Sequence, residues 1–339
     1  MTYLHRHSLR AALLAGFAFV LLLTAGLCQN ATQVNPAGHK QDDGVVDILI
    51  PDLVLLTVTV TDKQDRPITT LTDEDFRVSD DKESHRLDFL CRNDKNDCPV
   101  SLVILLDLSN SMRSNPLYDE MKVSLSGLVK QPEVVGESAL LGFNNTIQVL
   151  ANWAHTPEAL ADALNRPNKV GGYTALYDAM AATLEWLNAR KNSRRALIVI
   201  SDGRDNTSHH SLEQVERLLK QSDITVYSFA ISKAAALPDV FAEDGWSVLR
   251  RLAAPTAGRF FLPRSPKDVR EAFDRIAGEL RNQYLIGYWP ANLKRDGKWH
   301  RAQVNVRPIE MKDPSHPDRP ARQVELKVRA REGYFAPKP

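Results

Sequence analysis

Two fully apolar runs stand out in the middle of the chain. Residues 102–106 read LVILL, and residues 196–200 read ALIVI. Runs of this length, bounded by polar residues, are typical of strands that are buried on both faces of a parallel sheet. The first run ends in Asp107 and the second is followed by Ser201-Asp202-Gly203. Because open α/β sheets bind ligands at the carboxyl ends of their strands, these polar residues mark a candidate functional site.

The segment around these runs alternates between strand and helix patterns. Helical spacing of apolar residues is found at residues 117–130, 175–190, 211–221, 246–253 and 268–281. Ser211, followed three residues later by Gln214, is the pattern of a helix-capping box. Such alternation predicts a doubly wound, mostly parallel six-stranded sheet with helices on both faces.

The two flanking segments have a different, two-residue alternation. Strand patterns occur at residues 53–62, 76–78 and 87–90, and again at residues 284–288, 299–306 and 323–329. Neither set has enough strands for an independent sandwich. We therefore predict that residues 45–95 and 283–339 form one β-sandwich, into which an α/β domain of residues 96–282 is inserted, as is feasible when a domain's termini lie close together.

The N-terminal segment carries an export signal. A basic stretch at residues 5–10 precedes residues 11–27, which contain no charge. Residues 1–28 are predicted to be a cleaved signal peptide or an uncleaved anchor, and a lipoprotein using Cys28 is a third alternative. Residues 29–44 are polar and predict a flexible leader. Each alternative places the remaining chain outside the cytoplasm, secreted, periplasmic or envelope-anchored, with membrane contact only through an uncleaved N-terminal segment.

The cysteines and the charge balance bear on disulfide formation and on nucleic-acid binding. Cys91 and Cys98 are separated by six polar residues, so a disulfide is expected in an oxidising compartment, with two free thiols as the alternative. The chain has 43 Lys plus Arg and 42 Asp plus Glu, and this balance gives no electrostatic basis for nucleic-acid binding.

The candidate chemistry is a set of five oxygen donors. Asp107, Ser109 and Ser111 follow the first apolar strand, Asp202 follows the second, and Thr174 precedes a strong helix in GGYTALYDA. Carboxylates and hydroxyls are the hard ligands that a magnesium-type ion prefers. If the two strands are neighbours, these side chains converge on one cation.

The order Asp107-x-Ser109-x-Ser111, Thr174 and Asp202-Gly203 resembles the metal-ion-dependent adhesion site of the von Willebrand factor type A (vWA) fold. The resemblance covers roughly residues 100–281. The flanking segments LLTVTVTDKQDRPITTLTDEDFRV, QYLIGYWP and REGYFAP resemble the bacterial exported "VWFA-related" proteins typical of Acidobacteria.

The resemblance implies a function as well as a fold. It implies that the two serines and Thr174 bind the metal directly or nearly so, and that both aspartates bind it directly or through water. One coordination position would stay open for the carboxylate of a partner protein. The expected cofactor is Mg²⁺, with Mn²⁺ or Ca²⁺ as alternatives, and the expected role is adhesion or assembly of envelope complexes.

Enzymatic alternatives have less support in the sequence. There is no G-x-S-x-G nucleophile elbow and no H-E-x-x-H zinc motif. An aspartyl nucleophile at Asp107 would need a second carboxylate two residues later, where Ser109 stands. The histidines of TSHHS predict a solvated loop. Asp205 and Asn206 also predict a solvated loop, with contact to the metal site as the alternative. We expect a binding protein and no enzyme; the alternatives are a metal-dependent hydrolase and a structural domain with a vestigial metal site.

Overall fold

The computed structural model describes residues 53–92, 98–113, 115–131, 136–154, 157–165, 171–231, 240–291, 294–311 and 321–338. The predicted signal or anchor (residues 1–28) and the predicted leader (residues 29–44) lie outside the described residues. Within the described part, no helix is long and apolar enough to cross a membrane.

Strands and helices follow one another as expected for an inserted α/β domain. In chain order the strands of the described residues are β1 (Val54–Thr61), β2 (Phe76–Asp80), β3 (Glu83–His85), β4 (Phe89–Arg92), β5 (Val100–Asp107), β6 (Glu137–Phe143), β7 (Ile147–Ala154), β8 (Arg194–Ser201), β9 (Ile224–Ala230), β10 (Arg259–Phe261), β11 (Tyr284–Tyr288), β12 (Trp299–Val306), β13 (Ile309–Met311), β14 (Arg322–Val324), β15 (Lys327–Ala330) and β16 (Gly333–Phe335). The α-helices are α1 (Asn110–Arg113), α2 (Tyr118–Val129), α3 (Pro157–Asn165), α4 (Leu176–Asn188), α5 (Leu212–Gln221), α6 (Val240–Ala253) and α7 (Pro266–Asn282).

The central sheet has six strands in the order β10, β9, β8, β5, β6 and β7. All neighbouring strands are parallel except β6 and β7, which form an antiparallel hairpin at one edge. The predicted six-stranded, mostly parallel sheet is therefore confirmed. Strands β5 and β8 lie side by side at its centre, with Leu106 paired to Ile200, so both apolar runs end at the same edge of the sheet.

Strand β5 is buried along its whole length because helices cover both faces of the sheet. Leu102, Ile104 and Leu106 pack in one apolar cluster with α2, α3 and α7. Val103 and Leu105 point the other way, into a second cluster with α4, α5 and α6. Successive side chains of a strand alternate between faces, so a run that is apolar at every position needs cover on both sides.

The flanking strands form the predicted sandwich. One antiparallel sheet has the order β15, β1, β11 and β4, and the other has the order β16, β12, β2 and β3. Each sheet thus combines strands from before and after the α/β domain. Between them lies one apolar core, to which β1 contributes Leu56 and Val58, β2 contributes Phe76 and Val78, and β12 contributes Ala302.

One predicted strand is divided in the structure. Residues 323–329 form two short strands, of which β14 pairs with β13 in a separate two-stranded ribbon and β15 pairs with β1. Strands β3, β13 and β16 were not predicted. Three-residue strands carry too little alternation to stand out from their surroundings.

The two domains are joined through buried polar contacts. Gln283, directly after α7, donates from Nε2 to the Thr59 hydroxyl in the sandwich at 3.3 Å and to the Tyr227 hydroxyl in the α/β domain at 3.0 Å. Arg194, fully buried at the start of β8, donates to the carbonyl oxygens of Cys98 and Leu280. Both ends of the inserted domain are thereby held beside the sandwich.

Candidate metal centre

Asp107 and Asp202 reach the same edge of the sheet because β5 and β8 are adjacent. Asp107 is the last residue of β5, and Asp202 directly follows β8. Ser201, the last residue of β8, donates its hydroxyl to Asp107 Oδ2 at 2.6 Å. The same hydroxyl accepts a hydrogen bond from the Gly203 amide at 3.0 Å. Ser201 therefore fixes the ends of both strands relative to each other.

Asp107 is a carboxylate with no exposed surface. Its oxygens accept hydrogen bonds from the Ser109 amide, at 2.8 Å, and from the Ser201 hydroxyl. Burial raises the pKa of Asp107 to about 6, although these two donors act in the opposite direction. Ionising Asp107 in this buried position therefore costs desolvation free energy, which a nearby cation would offset.

Ser109, Ser111 and Asp202 form a continuous row of oxygen atoms. The two serine hydroxyl oxygens are 2.9 Å apart, and Ser111 donates its hydroxyl to Asp202 Oδ2 at 2.8 Å. Helix α1 begins between the two serines, and its turn is closed by the Met112 amide, which donates to the Ser109 carbonyl at 3.2 Å. The short helix is what brings hydroxyls two residues apart to the same place.

Thr174 is brought to this edge by its backbone. The Thr174 amide donates to Asn206 Oδ1 at 2.9 Å, and the Asn206 amide donates to the Thr174 carbonyl at 3.0 Å. Gly171 in the same loop donates its amide to the Leu108 carbonyl at 3.0 Å. The loop thus lies between the residue before Ser109 and the loop after Asp202. Thr174 is buried, and within the described residues its hydroxyl makes no hydrogen bond to the other four candidate ligands.

Gly203 fits the close approach of the Asp202 loop to helix α6. Its φ is +80°, a region that favours glycine. A Cβ atom at this position would lie 2.1 Å from the carbonyl oxygen of Gly245, within α6. Close packing against α6 therefore requires a glycine directly after Asp202.

Residues outside the predicted set support the site, and sequence reasoning missed them. Ser201, which fixes the two strand ends, is not among the five predicted ligands. For Asn206 and Asp205 the structure favours the alternative of contact with the site: Asn206 holds Thr174, and Asp205 Oδ2 accepts from the Tyr177 amide at 3.0 Å. The available signal was the position of Ser201 at a buried strand end. Nothing local in GRDNT reveals partners that lie about thirty residues away.

The two histidines of the same loop are bound to a neighbouring carboxylate. His209 Nδ1 lies 3.1 Å from Asp178 Oδ2, and His210 Nδ1 lies 2.6 Å from Asp178 Oδ1. Burial would raise the pKa of Asp178, but the backbone amides and imidazoles of the two histidines lower it well below its ordinary range. These imidazoles therefore stabilise the loop at the start of α4.

Cys91 and Cys98 lie on either side of the connection from the sandwich into the α/β domain. The structure joins them in a bridge with their Cα atoms 6.3 Å apart. Both side chains are buried against Leu285 of β11.

Comparisons with known proteins bear on the α/β domain. The family model of the von Willebrand factor type A domain matches residues 101–275 of the 339. No curated protein matches the chain. Among solved structures, the PilB minor pilin from Streptococcus sanguinis is 10% identical, with 55% of this chain and 62% of the pilin covered and a TM-score of 0.45. The match thus spans less than two thirds of that pilin's own length.

Two further structures have similar scores. An aerotolerance-related membrane protein from Bacteroides fragilis is 17% identical, with 53% of this chain and 98% of that chain covered and a TM-score of 0.43. The vWF domain of the type V pili tip protein Mfa5 from Porphyromonas gingivalis is 14% identical, with 53% and 94% covered and a TM-score of 0.43. The family-model match, which covers more than half of the chain, shows that this protein belongs to the von Willebrand factor type A domain family.

Proposed function

We propose that this protein is an exported binding protein whose vWA domain captures an acidic side chain of a partner protein through a divalent cation. The cation would be held by Asp107, Ser109, Ser111, Thr174 and Asp202, and Mg²⁺ is the ion that this donor set favours. When bound, the ion supplies a positively charged coordination position that a carboxylate from another protein can fill. Adhesion and assembly of envelope complexes are both consistent with such a site.

The observation that carries this proposal is the spacing of the oxygen row. Neighbouring ligands of an octahedral Mg²⁺ lie about 3.0 Å apart when each is about 2.1 Å from the ion. Ser109 Oγ and Ser111 Oγ are 2.9 Å apart, and Ser111 Oγ and Asp202 Oδ2 are 2.8 Å apart. Three side chains from two strand ends are thus already spaced as adjacent ligands, so the residues present fit such an ion.

The surroundings of Asp107 support the same assignment. A carboxylate without exposed surface is costly unless a positive charge is near, and the donors it has are a hydroxyl and an amide. A hydrolase would need a base beside the site. His209 and His210 are engaged with Asp178 instead, and Ser109 stands where an aspartyl nucleophile would need a second carboxylate.

The test is capture of a partner from an envelope extract of the source organism. Tagged protein should recover a partner in Mg²⁺, lose it in excess chelator, and lose it in both conditions when Asp107→Ala removes one carboxylate. Asp119→Ala, which removes an exposed carboxylate from α2, is the matched control and should behave as wild type. Thermal melting of each variant checks that it is folded.

Recovery that is the same with Mg²⁺ and with chelator would show that binding does not depend on the metal. Recovery that depends on Mg²⁺ but survives Asp107→Ala would place the metal elsewhere. Release of a cleaved product by the Mg²⁺-loaded protein would instead favour the hydrolase alternative.

A further inference from the structure

A histidine and three aspartates meet in the β-sandwich, outside the vWA domain. Asp80 ends β2, Asp81 lies in the turn to β3, and His300 lies near the start of β12. His300 Nδ1 is 2.8 Å from Asp81 Oδ2, and His300 Nε2 is 3.3 Å from Asp296 Oδ1. One ligand atom from each of Asp80, Asp81 and His300 lies within 4.8 Å of the others.

Asp80 is a buried carboxylate whose hydrogen-bond donors are two tyrosines. It is 6% exposed, and its Oδ2 accepts hydrogen bonds from the hydroxyls of Tyr288, at 3.0 Å, and Tyr334, at 2.9 Å. Within the described residues, no Lys or Arg forms an ion pair with Asp80, and its Oδ1 makes no hydrogen bond. Asp80 therefore offers a buried carboxylate oxygen beside Asp81 and His300.

The other hydrogen bonds of His300 and Asp80 are of the kind that orient metal ligands. A metal-binding histidine commonly donates its second ring nitrogen to a carboxylate, which fixes the ring. Asp296 is placed to do this at Nε2 of His300, which leaves Nδ1 directed at Asp81. The two tyrosines orient Asp80 in the same way. Asp80, Asp81 and His300 line an open cleft of about 680 Å³, through which an ion can enter.

We propose that this cleft binds a second divalent cation, of the zinc class, through His300 Nδ1, Asp81 and Asp80. Zn²⁺ accepts both imidazole nitrogen and carboxylate oxygen as ligands, and in a tetrahedral site neighbouring ligand atoms lie about 3.3 Å apart. The observed separations of up to 4.8 Å require only small side-chain movements. The ion would connect the β2–β3 turn to β12 and so stabilise one edge of the sandwich.

The competing explanation is an imidazolium ion held between Asp81 and Asp296, with no metal. A binding measurement on the full chain distinguishes the two. Asp107→Ala serves as the background, so that zinc at the proposed vWA site does not contribute. After dialysis against buffered Zn²⁺, the background protein should retain one equivalent of zinc by atomic absorption.

Two substitutions then test the ligands. Asp81→Asn should lose at least tenfold in zinc affinity, and it is expected to fold because Asp81 is half exposed at φ 43°, a conformation that asparagine tolerates. His300→Gln should abolish retention. His85→Gln is the matched control, because His85 lines the same cleft and packs on Tyr288 but is outside the ligand set.

The proposal is overturned if the Asp107→Ala background retains no zinc, or if Asp81→Asn and His300→Gln retain as much as the background. Failure of the proposed function is a separate result. In that case partner recovery would not respond to Asp107→Ala, whatever the zinc content of the sandwich variants.

Discussion

At the scale of single residues, the burial of Asp107 makes the stability of the protein depend on pH. Its burial raises the pKa to about 6, above the ordinary value of 3.8. In the absence of metal, Asp107 therefore holds its proton to a higher pH in the folded chain than in the unfolded chain. The resulting contribution to the free energy of unfolding is fully present below about pH 4 and is lost as the pH rises through about 6.

This linkage predicts the pH dependence of an Asp107→Asn variant in chelator. The difference between pKa values of about 6 and 3.8 corresponds to about 3 kcal/mol, of which about 2 kcal/mol should develop between pH 4.5 and 7.5. The free energy of unfolding of the variant should therefore rise relative to wild type across this range, as measured by urea denaturation.

Asp75→Asn, directly before β2, is the control for that experiment. Hydrogen bonds from Thr72, together with Arg307, lower the pKa of Asp75, so its contribution to stability is present above about pH 4 and is lost only in more acidic solution. Its difference from wild type should stay constant between pH 4.5 and 7.5. A constant difference for Asp107→Asn as well would contradict the raised pKa.

At the scale of elements, the loop from β8 to α5 packs against α6 at Gly203, where a larger residue does not fit. Gly203→Ala would place a methyl group against the backbone of Gly245 at a positive φ, and should cost at least about 1–2 kcal/mol. It should also weaken stabilisation by Mg²⁺, because Asp202 would move with its neighbour.

Gly127→Ala provides the opposite case in α2. A methyl group there meets nothing within 4 Å, so the substitution should stabilise the protein by about 0.5–1 kcal/mol through helix propensity. Both variants are compared by urea denaturation with and without Mg²⁺. Equal effects of the two substitutions would show that the Gly203–Gly245 contact is not important.

Some of these elements, but not all, could be predicted from the sequence. Strands β5 and β8 could be predicted because every residue from Leu102 to Leu106, and the matching run in β8, is apolar. Their adjacency was a condition of the predicted site, and the pairing of β5 with β8 in the structure meets it. The division between β14 and β15 could not be predicted, because alternation does not reveal which sheet a short strand joins. The Asn206–Thr174 contact joins two loops, and no periodicity encodes it.

At the scale of the whole molecule, helix α7 connects the vWA domain to the sandwich. Glu279, 3% exposed, forms ion pairs with Arg259 of β10 and Arg329 of β15. Arg331, between β15 and β16, donates to the Ser222 and Lys220 carbonyls at 3.0 Å each. Buried polar contacts of this kind fix the two domains in one arrangement.

Glu279→Gln should therefore destabilise the protein by about 3 kcal/mol, because it leaves two partly buried guanidinium groups without their carboxylate. Glu271→Gln, in the same helix, breaks an exposed pair with Lys267 and should cost less than about 0.5 kcal/mol. Scanning calorimetry measures both. A Glu279→Gln variant as stable as Glu271→Gln would show that this contact contributes little to the interface.

The way in which the chain enters and leaves the vWA domain also constrains the order of folding. Arg92, the last residue of β4, is paired directly with Tyr284, the first residue of β11. Within the sandwich sheet, the whole vWA domain thus occupies the place of a hairpin loop between two neighbouring strands. Those strands can pair only after the loop has brought its ends together, and a folded domain does this at far lower entropic cost than an open chain. The sandwich should thus be the last part of the protein to form, and its assembly should report whether the vWA domain has folded.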